Sequence, residues 1–385
     1  MLEPDPVLGY GTDLCNALTD RGVDVVLVTA RGYQHQRRAR FRFLAVAPES
    51  GTGRYLAKLA SELQYVGVIL KMLLRWRPDV VHFQWFRLRV ELLLLAAIRA
   101  FGVRVVWTAH NVLPHELRRG DIVLHRVLYR LASHVITHTK QGAQSLTSSF
   151  GVSPKRIHVV PIGNSESTAL SVIPSDQARQ ELEIPRDATV YLFYGQFRPY
   201  KGYDELLTAF EVATRRCPRI SLVLAGRAPH SVAKDIQRRL SSMEDTVRQR
   251  IVWRPAIDAF VDQVTTDLVF SAADCVVLPY REVSQSAVLM QAFAYGRPVL
   301  GTAAGGFLES IRDGETGFLF PAGDVNALAR RLEELGSQRE RLAACGARAK
   351  EYAAVEHSWA RCAALTIDAY RTVLENQAEP LRSEH

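Results

Sequence analysis

The sequence predicts an α/β protein made of two doubly wound, Rossmann-like domains that face a cleft. Two observations support this prediction. The chain has 385 residues, too many for one ordinary hydrophobic core. Short runs of Val, Ile and Leu also alternate with helical patterns along it, in two successive series. Ligands bind such sheets at the carboxyl ends of the strands, so we expect the binding site to face the cleft.

The first series predicts an amino-terminal domain over residues 1–168. Its apolar strand patterns include "DVVLVTA", "DVVHF", "RVVWTAH" and "RIHVVPIG", and amphipathic patterns separate them. Runs of this kind, without polar alternation, are typical of parallel strands that helices cover on both faces.

The start of this domain departs from the pattern. Two prolines, Pro4 and Pro6, precede the glycine-rich turn at Gly9, and proline cannot donate to the ladder of a central strand. We expect the sheet to lack its usual first strand, or the natural chain to start upstream. The alternative is a very short strand at Val7 and Leu8.

The second series predicts a domain over residues 189–345. Residues 169–188 contain turn formers and no apolar strand, which indicates a linker, and the alternation restarts at "TVYLFYG". Residues 346–385 carry apolar positions at helical spacing. We expect these carboxy-terminal helices to pack back toward the amino-terminal domain.

The composition indicates a globular protein of the cytoplasm. The chain is 48% hydrophobic and 23% charged, and no apolar run reaches the roughly 18 to 20 residues of a membrane helix. The first residues lack the pattern of a signal peptide. The five cysteines are scattered without metal-ligand spacing, as expected for reduced thiols.

The positive charge is concentrated in the first half. Residues 1–168 contain 22 Lys and Arg against 12 Asp and Glu, with a dense run "RRARFR" at residues 37–42. Such a surface attracts phosphorylated substrates, anionic membranes or nucleic acid, and the alternative is an ordinary arginine-rich surface. We expect peripheral contact with the inner face of a membrane, and no nucleic-acid partner.

Two loops of the second domain combine a strand end with a helix start. The first holds Gln196, Arg198 and Lys201, and a helix start beside Arg and Lys favours an anion. The second, "VSQSAVLMQAFAYG", places Ser284 and Ser286 before a helix, although simple capping explains one serine. Two anion-binding helix starts suggest a diphosphate ligand, and the alternative for the first is a solvated turn.

These loops resemble those of the retaining glycosyltransferases of family 4, which have the GT-B fold. The stretch from Gly195 to Phe210 resembles their phosphate loop, and "QAFAYGRPV", "GGFLE" and "DGETGFLF" follow in the order of their donor signature. The first half matches more loosely, through "DVVHFQW", "VVWTAHNVLPHE" and "VVPIGN". The resemblance implies a hexosyltransferase that moves a sugar from a nucleotide-diphosphate donor to a glycan, lipid-linked or small-molecule hydroxyl, without a metal or other cofactor.

The family's charged positions are partly replaced. Its loop Arg falls on Gln196, so Arg198 is expected to contact the diphosphate beside Lys201. The two Glu of its signature fall on Val283 and Gln291. The residues that the resemblance assigns to the donor are Gly11, Gln196, Glu282 (one position off register), Ser284, Gln285, Ser286, Ala287, Val288 and Gln291.

In the family a His at the end of the strand "RVVWTAH" contacts the donor sugar, so the resemblance implies that His110 is catalytic together with Arg198 and Lys201. Three neighbours are acceptor-side candidates, with an ordinary loop as the alternative: Asn111, His115 and Glu116. The proline of "LPH" argues against helical spacing of the histidines, so no metal site is expected.

Two other functions remain open. A GT-B-like binding protein without transferase activity is suggested by Val283 and Gln291. A nicotinamide-dependent oxidoreductase would also suit doubly wound domains, but no Gly-x-Gly-x-x-Gly follows a strand with an acidic residue about 20 positions on.

Overall fold

A computed structural model describes residues 1–3, 9–30, 39–47, 55–85, 90–113, 120–164 and 171–375, without the side chains of residues 3, 47, 55–61 and 90. The chain divides into two compact units. Unit 1 comprises residues 1–163 and 357–385, and unit 2 comprises residues 164–356. Among the described helices, none has both the length and the apolar character needed to cross a membrane.

The strands of both units are short and mostly buried. In chain order they are β1 (Leu2–Glu3), β2 (Val26–Ala30), β3 (Arg42–Ala47), β4 (Val80–Phe83), β5 (Arg104–Ala109), β6 (His134–Thr137), β7 (Ile157–Val159), β8 (Thr189–Tyr194), β9 (Ile220–Ala228), β10 (Ile251–Ile257), β11 (Cys275–Leu278), β12 (Val299–Thr302) and β13 (Gly317–Phe320).

Helices connect these strands. In chain order they are α1 (Tyr10–Thr19), α2 (Tyr55–Trp76), α3 (Val90–Ala100), α4 (Asp121–Leu131), α5 (Lys140–Phe150), α6 (Ser175–Glu181), α7 (Tyr203–Arg216), α8 (His230–Ser241), α9 (Asp245–Arg248), α10 (Gln263–Ala272), α11 (Ala287–Ala294), α12 (Phe307–Ser310), α13 (Val325–Leu335), α14 (Arg339–Glu356) and α15 (Trp359–Glu375).

In unit 1 the described strands form one parallel sheet in the order β3-β2-β1-β4-β5-β6-β7. One apolar core packs α2, α3, α4 and α5 against a face of this sheet. A second core packs α1 and α15 against the opposite face. Because both faces are covered, the strands are mostly apolar on both sides, which is why the sequence shows them so clearly.

The expected gap at the first strand of unit 1 is not present. Strand β1 fills an interior position of the sheet, between β2 and β4, where Leu2 pairs in parallel with Val28 of β2 and with Phe83 of β4. Leu2 is 3% exposed, so one buried side chain anchors a strand of two residues. The prediction of a missing strand is therefore wrong. The prolines and the alternative strand at residues 7 and 8 lie outside the described residues.

In unit 2 the described strands form a parallel sheet in the order β10-β9-β8-β11-β12-β13. From β8 the chain winds outward through α7 to β9, and from β11 it winds the opposite way through α11 to β12. The winding direction therefore reverses between β8 and β11. The predicted α/β class, with parallel sheets in two domains, is confirmed.

The predicted linker is folded onto unit 2. Helix α6 lies within residues 169–188, and its Arg179 is fully buried. The predicted end of this domain, residue 345, falls in the middle of α14, whereas unit 2 runs to residue 356. Unit 2 therefore extends through all of α14, and the chain from residue 357 onward belongs to unit 1.

Candidate functional site

Both loops singled out in the sequence lie at the switch point of the unit 2 sheet. One loop, residues 195–202, follows β8, and the other, residues 279–286, follows β11. These strands are neighbours in the sheet. A doubly wound sheet opens a crevice where its winding direction reverses, so both loops border this crevice.

The two loops meet at Gly195. A Cβ on this glycine, whose φ is 120°, would lie 3.2 Å from the Lys201 Nζ and 3.3 Å from the Val288 Cγ2. The ammonium group and the first turn of α11 are therefore close together at the end of β8. The Lys201 Nζ also lies 4.9 Å from the ring centroid of Tyr280. At Gly202 a Cβ would come 2.0 Å from the Pro279 carbonyl oxygen, so glycine permits the close approach of the loops.

The start of α11 faces the same crevice. The Ser286 hydroxyl caps this helix by accepting a hydrogen bond from the Leu289 N–H at 3.3 Å. The N–H groups of the first two helical residues, Ala287 and Val288, have no acceptor within a helix. With Lys201 beside them, they provide two main-chain donors and one positive charge for an anion.

Arg198 and Gln196 contact each other. The Arg198 Nε donates a hydrogen bond to the Gln196 Oε1 at 3.1 Å, and the arginine side chain is exposed. Residues Pro199–Lys201 form a 3₁₀ turn between Arg198 and α7. The residue that replaces the family's Arg thus holds the nearby arginine at the loop surface.

The other predicted anion-binding helix start, that of α7 after the Arg198 and Lys201 loop, is not supported. Its first turn carries Asp204 and Glu205. Glu205 accepts a hydrogen bond from the Arg281 Nε at 2.6 Å, and Asp204 lies 3.2 Å from the Arg239 guanidinium. The first turn of α7 already carries negative charge, which disfavours an anion there, so the anion site depends on Lys201 and α11.

Val283 stands at the position of the family's first Glu, and Glu282 precedes it. The two side chains differ in burial. Val283 is 7% exposed, and its carbonyl accepts the Gly306 N–H at 3.0 Å. Glu282 is exposed. Two polar atoms in the same loop, Gln285 Oε1 and the Tyr280 hydroxyl, are buried without a hydrogen-bond partner among the described residues. Buried polar atoms without partners are costly, which suggests that a ligand satisfies them.

Ser284 and Gln291 are half-buried. Gln291 lies in the second turn of α11, one turn beyond the capped end. Sequence reasoning missed Tyr280, although it closes "VLPY" directly after β11 and a polar residue at a strand end is the relevant signal.

In unit 1, His110 is packed into a side-chain network. Its Nδ1 lies 2.9 Å from the His138 Nε2, and its Nε2 lies 3.1 Å from the Gln84 Oε1. Trp85 stacks on the ring at a centroid distance of 4.2 Å, and Tyr10 meets it edge-on at 5.1 Å. His110 is 5% exposed, and protein side chains contact both of its ring nitrogens.

This network continues through neutral histidines. The His138 Nδ1 donates to the Val160 carbonyl at 2.8 Å, and His82 lies 2.7 Å from both Thr108 Oγ1 and the Tyr370 hydroxyl. Burial lowers the pKa of His82 to about 3 and that of His138 to about 4. Burial, and then the neighbouring histidines, lowers the pKa of His110 well below its usual value. All three rings are therefore neutral at pH 7.

The other unit 1 candidates are more dispersed. Gly11 is buried in the first turn of α1, and Asn111 is half-buried directly after His110. His115 and Glu116 lie outside the described residues. Within the described ranges, no three His, Cys, Asp or Glu side chains gather as metal ligands would.

Both halves of the chain match known families. Residues 10–164 match the family described as "Glycosyltransferase Family 4", and residues 174–352 match "Glycosyl transferases group 1". The D-inositol 3-phosphate glycosyltransferase of Thermobispora bispora is 26% identical over 398 residues, which cover 95% of this chain and 89% of the relative.

Solved structures show the same fold. Sucrose-phosphate synthase from Thermosynechococcus elongatus has a TM-score of 0.74 at 20% identity, covering 97% of this chain and 99% of that one. Anabaena HepE in complex with UDP-glucose has a TM-score of 0.71 at 16% identity and covers 98% of each chain.

Proposed function

The chain belongs to the GT-B glycosyltransferases that combine a family 4 half with a group 1 half, and we propose that it is a retaining hexosyltransferase. The donor would be a nucleotide-diphosphate sugar bound at the switch point of unit 2, and catalysis would need no metal. UDP-sugars are the first candidates, because a structural neighbour was solved with UDP-glucose.

This proposal rests on one observation. The Lys201 ammonium group and the start of α11 lie close together at Gly195. When the glycosidic bond to the donor breaks, negative charge develops on the departing diphosphate. A fixed ammonium and two main-chain N–H groups stabilise that charge where it forms. The unpartnered Gln285 Oε1 and Tyr280 hydroxyl would bond hydroxyl groups of the donor.

The remaining roles follow from the surroundings of each residue. Arg198, which is exposed beside this site, would swing onto the diphosphate and exchange its contact with Gln196 for phosphate oxygens. His110 would meet the sugar only by replacing its contact with Gln84. The acceptor hydroxyl would attack on the face that the diphosphate leaves, and the leaving phosphate would take its proton.

The acceptor would bind to the basic unit 1. A curated relative is named for D-inositol 3-phosphate, and a phosphorylated cyclitol suits the positive charge of residues 1–168. A glycan or a lipid-linked saccharide also provides the required hydroxyl. Asn111, His115 and Glu116 stay the proposed acceptor-side residues.

A panel of UDP-, GDP- and ADP-sugars tests the proposal, with calorimetry for binding and product release for transfer or hydrolysis. Lys201→Ala should lower turnover about 30- to 1,000-fold, because it removes charge stabilisation of the transition state. Lys234→Ala, an exposed lysine of α8, is the matched control and should have no effect. Near-normal turnover of Lys201→Ala would remove the proposed role of this lysine.

A second candidate is a donor-binding protein without transferase activity. The buried Val283 favours it, because no carboxylate occupies that position. This candidate would be favoured if the wild-type protein binds a nucleotide sugar but neither transfers the sugar to any acceptor nor hydrolyses the donor.

A further inference from the structure

The outer surface of one helical layer in unit 1 is apolar. Helices α2, α3 and α4 lie side by side on one face of the sheet. Six large apolar side chains, five on these helices and Phe101 directly after α3, are between 49% and 72% exposed: Leu63, Leu74, Leu93, Phe101, Ile122 and Val123. Single exposed leucines are ordinary, but a set spread over three adjacent helices marks an interaction surface.

Basic residues are interleaved with these apolar residues. Five exposed basic side chains lie on the same helices: Lys71, Arg75, Arg99, Arg126 and Arg130. Lys71, Leu74 and Arg75 follow helical spacing and share one face of α2. We call the surface formed by these eleven residues the α2–α4 face.

The α2–α4 face lacks compensating negative charge. Among the described side chains of the three helices no carboxylate is exposed, because Glu62 and Asp121 are half-buried and Glu91 is buried. Within the described part of the chain, none of the five basic side chains pairs with a carboxylate, and the one hydrogen bond among them runs from the Arg99 Nη1 to the uncharged Leu131 carbonyl at 2.9 Å. Their charge is therefore available to an external anion.

Apolar and basic side chains on one surface limit the choice of partner. A nucleic-acid backbone would neutralise the charge but leave Leu, Ile, Val and Phe against phosphate and water. The surface of an anionic bilayer accommodates both kinds of side chain, because apolar groups enter the acyl boundary while Lys and Arg reach the headgroups. We propose that the α2–α4 face docks unit 1 on an anionic lipid membrane. This docking does not depend on the sugar or on transferase activity.

Vesicle flotation with the full chain tests the docking. Wild-type protein should float with phosphatidylglycerol-containing vesicles, remain behind with pure phosphatidylcholine, and bind less as salt is raised. The Lys71→Glu, Arg75→Glu double variant should bind at least about 25-fold more weakly, since each basic residue contributes roughly fivefold at such a surface. Leu74→Ser with Leu93→Ser should also weaken binding, which a purely electrostatic contact would not show.

Matched controls come from unit 2. Lys234 and Arg238 on α8 have the same spacing as Lys71 and Arg75, so reversing both changes the net charge equally. Val264→Ser, at a residue 74% exposed, matches the leucine changes. Thermal unfolding and nucleotide binding establish that each variant is folded.

Three outcomes overturn the proposal. The first is vesicle binding that neither set of α2–α4 changes weakens, and the second is an equal loss of binding with the unit 2 controls. The third is duplex DNA that binds more tightly than anionic vesicles and is released by the same charge reversals.

Discussion

The Arg179 guanidinium donates two hydrogen bonds of 2.8 Å to the carboxylate of Asp274. Asp274 also accepts the Val190 N–H at 2.7 Å, and Arg179 donates to the Ala188 carbonyl at 3.0 Å. This buried pair joins α6 to the beginnings of β8 and β11. The same two strands carry the donor-site loops at their other ends, so the pair fixes the strands that position those loops.

Arg179→Met should lower the free energy of unfolding of unit 2 by about 3 to 5 kcal/mol, because it removes both short charge-assisted hydrogen bonds to Asp274 and leaves only Arg339, at 3.6 Å, beside that carboxylate. Urea unfolding monitors the change. The exposed pair of Arg238 and Asp235 provides the control, and Arg238→Met should cost less than about 1 kcal/mol. A loss below about 1 kcal/mol for Arg179→Met would contradict a structural role for this pair.

Gly195→Ala should weaken nucleotide binding at least tenfold. The new methyl group would crowd the Lys201 ammonium and Val288, and a φ of 120° adds backbone strain. Gly323→Ala separates crowding from backbone strain. Gly323 also has a positive φ, of 75°, but a Cβ there meets no described atom within 4 Å. Calorimetry should show weaker nucleotide binding for Gly195→Ala and unchanged binding for Gly323→Ala. Equal affinities would mean that the nucleotide binds elsewhere.

Gln291→Leu should weaken binding of the nucleoside diphosphate by about 1 to 3 kcal/mol if its amide bonds the ribose. Gln291→Glu should be tolerated, because the side chains have similar size and both are good helix formers. Gln237→Leu, on the exposed face of α8, is the control. Unchanged affinity of Gln291→Leu would show that this side chain does not reach the nucleotide.

Acid should destabilise unit 1 through His82, His110 and His138. Their pKa values are lowered by burial, to about 3 for His82 and about 4 for His138. Below pH 6.5 the unfolded chain therefore binds protons that the folded unit does not. The stabilisation is complete above pH 6.5 and is lost as the pH falls toward 4, at about 1.4 kcal/mol per pH unit for each histidine.

Urea unfolding at a series of pH values between 7 and 5 measures this slope. His138→Gln should reduce the slope, because one depressed group is removed while a side-chain donor for Val160 remains. His230→Gln, at an exposed position of α8, should leave it unchanged. A slope that is identical in wild type and His138→Gln would refute the assignment.

The sheets were predictable because strands buried on both faces produce continuous apolar runs. Strand β1 was not predictable, since two residues have no periodicity and their pairing with β2 and β4 is a tertiary property. The same limit applies to α6. Its turn formers suggest a linker, and nothing local shows that Arg179 finds Asp274 95 positions later.

The donor loops were predictable because they follow adjacent central strands. The acidic first turn of α7, Asp204 and Glu205, is present in the sequence and argues against an anion at that helix start. Gln84 and His138, the partners of His110, follow β4 and β6, the strands on either side of β5. The rule that polar residues follow neighbouring strands would have identified Gln84 and His138 as candidates. Their hydrogen bonds with His110 could not be predicted, because side-chain orientation cannot be read from a sequence.

Helix α15 packs against α1, although the whole of unit 2 separates them along the chain. Its Cys362, Ala369 and Val373 share a core with Leu14 and Leu18 of α1. During translation, unit 2 leaves the ribosome before α15 does and can fold first. Until then one face of the unit 1 sheet is only partly covered, so a premature stop after α14 would expose that face to chaperones and proteases.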